Sequence, residues 1–127
     1  MPAIKATTEL PRIVRFFEIV EGGACPHCGC AGRWIHRFAC DDGTERGAMS
    51  GCIKLFRVAP IAREHMRIAD KEKRYKQSGF SGLNRWDTES MVAIEAYYAG
   101  QTTESDAMRI VERNKSAAAA WRKRKFR

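Results

Sequence analysis

All five cysteines of the chain lie between positions 25 and 52, and four of them have spacings that suit a metal site: Cys25 and Cys28 in Cys25-Pro26-His27-Cys28-Gly29, then Cys40 and Cys52. A Cys-x-x-Cys pair on a turn bent by Pro and Gly aims two sulfurs at one point. A later pair then closes a tetrahedron around an ion that prefers thiolate and imidazole. No other feature constrains the fold as strongly, because a short segment buries too little apolar surface to hold itself together and a bound ion supplies a staple. The expected ligands are Cys25, Cys28, Cys40 and Cys52 around a structural Zn2+. Eleven residues separate Cys40 from Cys52, so they do not repeat the Cys-x-x-Cys arrangement. Cys30 is left as a spare thiol or alternate ligand, and His36 is a further substitute for Cys52 or Cys40. Four thiolates around Zn2+ carry a formal charge of about −2, which Arg33 and Arg37 are placed to offset.

Other chemistries fit less well. A catalytic zinc keeps one position open and needs a general base nearby, yet the chain has neither His-Glu-x-x-His nor the deaminase pairing of His-x-Glu with Pro-Cys-x-x-Cys. A redox role for Cys25 and Cys28 lacks the βαβ surroundings usual for it, and an iron-sulfur centre ranks below zinc. The expectation is a protein that is not an enzyme and takes no small-molecule substrate. An odd cysteine count argues against a closed disulfide framework. The N-terminal residues Met1-Pro2-Ala3-Ile4-Lys5 have no signal-peptide character. At 44% apolar and 30% charged residues the composition is that of a soluble protein, and no apolar run approaches the roughly 20 residues of a membrane span. An intracellular, cytoplasmic setting without membrane contact is expected.

The pattern predicts an α+β chain: a small zinc-stapled antiparallel sheet in residues 1–58 and a helical region of about three helices in 59–127. Arg12 to Val20 is rich in β-branched and aromatic residues and ends at Gly22-Gly23. Arg33 to Cys40 alternates, with Trp34, His36, Phe38 and Cys40 on one face, and Asp41-Asp42-Gly43 offers a turn. Ile53 to Val58 reads as a partner strand, with the glycine-rich Gly47 to Gly51 before it. From Pro60 the pattern turns helical: Ile61 to about Gln77, then a linker at Ser78 to Gly82. A second helix starts at an N-cap on Asp87 and stops at Gly100. Thr103, with Asp106 three residues on, marks a further start, and the alanine run 117–120 has high helix propensity.

Two resemblances follow from these residues. The Cys25-Pro26-His27-Cys28-Gly29 knuckle with strand-like flanks resembles the first knuckle of a zinc-ribbon or treble-clef module over residues 25 to about 58, a class that often binds nucleic acid but also protein. The chain departs from it in the second half, where a ribbon shows another Cys-x-x-Cys. Residues 88–125, read as three helices with a turn at Arg113-Asn114-Lys115, are similar to a helix-turn-helix. The same residues equally suit one continuous helix over 103–125 that packs on its predecessor.

Charge points to the partner. Of a net +8, residues 113–127 carry +7, with seven basic residues and no acidic one; sixteen basic and fifteen acidic residues leave 1–112 at +1. So concentrated a charge suits a polyanion. The expected function is non-catalytic binding of nucleic acid, DNA in the first place, through Lys115, Arg122, Lys123, Arg124, Lys125 and Arg127. The alternative is a protein-binding adaptor or inhibitor, such as a mobile-element factor that targets a host nucleic-acid machine.

Overall fold

The computed structural model describes residues 10–76 and 83–125. It divides into two compact units, Met1–Arg63 and Glu64–Arg127. The described residues have the expected α+β composition. The proposed linker 78–82 and Arg127 lie outside them.

In the first unit the strands are β1 (Arg12–Glu21), β2 (Trp34–Cys40), β3 (Glu45–Met49) and β4 (Arg57–Val58), with a single helical turn α1 (Ser50–Ile53) between β3 and β4. They form one sheet of order β3-β2-β1-β4. β1 pairs antiparallel with β2, and β2 with β3, whereas β4 runs parallel to β1 through Arg12 with Arg57 and Ile13 with Val58. The sheet is therefore mixed, not antiparallel throughout. The expected strand over 53–58 shrinks to its last two residues, because Cys52 is drawn to the knuckle and the chain turns at Ser50 to deliver it.

Strand β1 buries Ile13 and Phe16, which are three apart and would point to opposite faces of a regular strand. The register shift between Ile13 and Arg15 reconciles the two, and a second follows between Phe16 and Glu18. Each inserts one extra residue against β2, and the first lets both large side chains reach the core. Phe38 stands opposite Phe16 in the register, and His36 tilts against the Phe16 ring at 5.9 Å between centroids. Phe56 closes this core, with its ring edge-on to Phe38 at 5.2 Å and to His27 at 5.4 Å. The hairpin between β2 and β3 is tied by Asp42, which accepts hydrogen bonds from the Thr44 hydroxyl at 2.6 Å and the Thr44 N–H at 3.0 Å.

The second unit holds the rest of α2 (Pro60–Lys76), which begins in the first, together with α3 (Arg85–Tyr98) and α4 (Glu104–Lys125). Asn84, not Asp87, caps α3: its side chain accepts from the Asp87 N–H at 2.8 Å while the Asp87 carboxylate reaches back to the Asn84 N–H. Asp87 thus occupies the third position of a capping box. At α4 the Thr103 hydroxyl accepts from the Asp106 N–H at 3.1 Å, as its spacing predicts. Helices α3 and α4 pack against one another, burying Ala93 and Ile94 on one and Ala107, Val111 and Ala118 on the other.

Helix α4 runs unbroken through Arg113-Asn114-Lys115, so the helix-turn-helix expectation is overturned. The reason is local. The Asn114 amide is buried and donates to Ser90 Oγ at 3.2 Å, so its polar group is satisfied across the helix pair and the alanine run carries the helix on.

No helix among the described residues is long and apolar enough to cross a membrane.

Candidate functional site

The knuckle is a narrow hairpin closed by short backbone bonds. Gly22 N–H donates to Arg33 O at 2.7 Å, Gly32 N–H to Gly23 O at 2.9 Å, and Cys25 N–H to Cys30 O at 2.8 Å. Gly29 N–H returns to Cys25 O at 2.8 Å with a φ of +80°, a backbone setting that glycine adopts without strain. The hairpin docks on β3 through Pro26. A Cβ added at Gly47 would lie 3.1 Å from Pro26 Cγ, a tight contact that would push the two apart by a few tenths of an ångström.

Docking brings three thiols together. The Sγ atoms of Cys25, Cys28 and Cys52 lie within 4.8 Å of one another, with Cys25 buried, Cys28 exposed and Cys52 half-buried. Cys30 lies next to Cys28 on the same hairpin, and the neighbouring Cys28 pushes its thiol up. Sulfurs of a tetrahedral zinc site are about 3.8 Å apart for Zn–S bonds near 2.3 Å. The clustered thiols therefore need only a small contraction to close on an ion.

The electrostatics favour a cation. Burial resists ionisation of Cys25, yet the backbone N–H groups of Met49, Cys28 and His27 outweigh it and draw the thiol down to about 6. The Met49 N–H lies 3.2 Å from Cys25 Sγ. Cys52 goes the other way: burial and the neighbouring Cys28 and Cys25 push it up to about 12. One negative sulfur thus suppresses the next, and a divalent cation is the agent that lets the set ionise together.

Cys40 is not part of this cluster. It pairs with Ile13 at the far end of β2, beside the 41–44 turn, whereas the knuckle sits at the end where Ile35 faces Met49. Along a strand the separation from Trp34 to Cys40 is about 20 Å. Burial pushes the Cys40 thiol up, against the pull of Arg46, which suits a protonated core residue. His36 is likewise a core residue on β2. His27 packs its ring edge-on against Phe56 and is not among the clustered thiols' neighbours that could share an ion. Arg37 pairs with Glu18 at 3.0 Å and Arg33 lies over the Trp34 ring at 5.1 Å.

The basic residues also divide. Lys115 is engaged with the buried carboxylate of Glu64 at 3.1 Å, which also holds Arg67 at 2.9 Å. Arg67 continues to Asp87 at 3.3 Å, and Lys71 reaches Asp87 at 2.7 Å. Lys115 is therefore a structural ion-pair partner that fastens α4 to α2. Burial would raise the Asp87 carboxyl, but Lys71, the Asn84 N–H and Arg67 together hold it below its ordinary value. Arg122, Lys123, Arg124 and Lys125 fill the last turn of α4 and are exposed, with Lys125 Nζ 5.1 Å over the Trp121 ring. Cations at that end also complement the helix dipole.

The thiol cluster can hold a metal ion. The Cys28-x-Cys30 spacing is the signal by which the sequence could have preferred Cys30 to Cys40. No family model, curated protein or solved structure matches the chain.

Proposed function

We propose that the chain is a non-catalytic zinc protein that binds nucleic acid through the basic end of α4. Its metal module is of the zinc-ribbon or treble-clef kind, with Cys25, Cys28, Cys30 and Cys52 as ligands. The thiol cluster supports the metal half of this reading. With zinc bound, the four sulfurs are cross-linked and the knuckle is fixed to β3 and α1; the ion supplies structure and no reaction.

The observation that carries the nucleic-acid half is the exposed run Arg122, Lys123, Arg124 and Lys125 within a segment that has no acidic residue from 113 onward. Phosphate neutralisation by four cations gives binding whose logarithm falls with log salt at a slope of about −3 to −4.

Two measurements test the proposal together: metal content of protein purified without added metal, and a salt series of binding to random duplex and single-stranded DNA. One equivalent of zinc and a slope of that size are expected. Alanine at all four positions should remove most of both the affinity and the slope. Zinc without nucleic-acid binding would overturn the reading in favour of a protein partner. Absence of metal would overturn the site.

A further inference from the structure

We propose that Trp86 on α3 and Trp121 on α4 form a stacking platform for the bases of single-stranded nucleic acid, with phosphates taken by the cations around them. This rests on the basic end of α4 being a nucleic-acid surface, and it specifies the form bound.

The two indoles meet with ring centroids 6.0 Å apart and planes tilted by 55°. Trp121 is 39% exposed, a large apolar area for a helix end otherwise made of charge. Each ring carries a cation: Arg85 Cζ lies 4.7 Å over Trp86 and Lys125 Nζ 5.1 Å over Trp121. Beside them opens a cavity of about 320 Å3 whose lining includes Trp86, Ala118, Arg122, Lys115 and the ion-paired Lys71 and Asp87. Lys71 and Lys115 are tied to Asp87 and Glu64, so phosphate capture falls to Arg122, Lys125 and Arg85.

Flat apolar rings flanked by exposed cations complement a strand whose flat apolar bases alternate with anionic phosphates. In a duplex the base faces are already stacked on one another, so exposed indole gains nothing there. An acidic peptide offers the charge but no planar face. Lys125 has a flexible stem, and it swings from the ring to a phosphate as a base takes its place.

The test uses the full chain with Trp34→Phe, which leaves Trp86 and Trp121 as the indole emitters, and titrates oligo-dT and a duplex of equal length. Oligo-dT should quench the emission and bind more tightly than duplex. Trp121→Ala should weaken oligo-dT binding by about fivefold or more and leave duplex binding unchanged, whereas Trp121→Phe should retain affinity within about twofold. Thermal melts of each variant separate lost contact from lost fold, and quenching in the parent needs no Trp121 variant. Binding to both DNAs without quenching, or unaffected by Trp121→Ala, would refute the platform and leave the basic end standing. Failure to bind either DNA would refute the underlying reading and the platform with it.

Discussion

Replacing the cysteines one at a time separates the two possible tetrahedra. Structural zinc contributes about 10–16 kcal/mol of apparent binding free energy at neutral pH, so an equal share for each of four thiolates is roughly 3 kcal/mol. Alanine at Cys25, Cys28, Cys30 or Cys52 should therefore weaken zinc binding by about 100-fold or more. Cys40 lies at the other end of β2, where burial pushes its thiol up. Cys40→Ala should cost stability by about 1 kcal/mol through lost packing and leave zinc affinity within about threefold. Competition against a chromophoric chelator gives the affinities, and the thiolate charge-transfer absorption of the Co2+ form reports how many sulfurs bind. Equal losses for Cys40→Ala and Cys52→Ala, or an unaltered affinity for Cys30→Ala, would refute the assignment.

Three further outcomes follow from the packing and the ion pairs. Phe56→Ala, which removes a buried ring that packs on both Phe38 and His27, should destabilise the first unit by about 3–5 kcal/mol in denaturant unfolding of the metal-loaded protein. Asn114→Ala gains helix propensity but leaves Ser90 without its donor, so far-UV helicity should hold while stability falls by about 1 kcal/mol; a loss of helicity would contradict an unbroken α4. The folded Asp87 carboxyl is held below its ordinary value, so the stability it contributes is full above a pH of about 4 and is lost as pH falls through the folded value. Acid unfolding of Asp87→Asn should show a shallower slope below that point and lower stability at neutral pH, where Lys71 loses its anion and Arg67 keeps only Glu64.

Much of this fold is written locally. The β-branched run of β1, the helical pattern from Pro60 and the Thr103 cap each depend on neighbours in sequence, and each is legible there. The mixed sheet is not, since β4 owes its place to Ile13 and to the turn that carries Cys52 to the knuckle, both tertiary. Nor is the cap of α3: Asn84 and Asp87 both suit the position, and only their reciprocal bonds assign the roles. At the thiol cluster, spacing identifies the knuckle but cannot say which end of β2 a distant cysteine occupies. That depends on the register of β2 with β3, which places Cys40 at the hairpin turn, away from the thiol cluster. Asn114 reads as a turn residue by type, and Ser90, distant in sequence, makes it a helical one.

The Asn114 to Ser90 hydrogen bond also acts as an index mark for the helix that bears the basic residues. From Asn114, steps of four, seven and eleven residues lead to Ala118, Trp121 and Lys125, one stripe along a helix of 3.6 residues per turn. A slip of α4 by a single residue would rotate that stripe by about 100° and leave both polar groups buried and unmatched. One interior contact thus sets the compass bearing of the indole and the cations two to three turns further on, and the outward face of the helix end is decided from inside the helix pair.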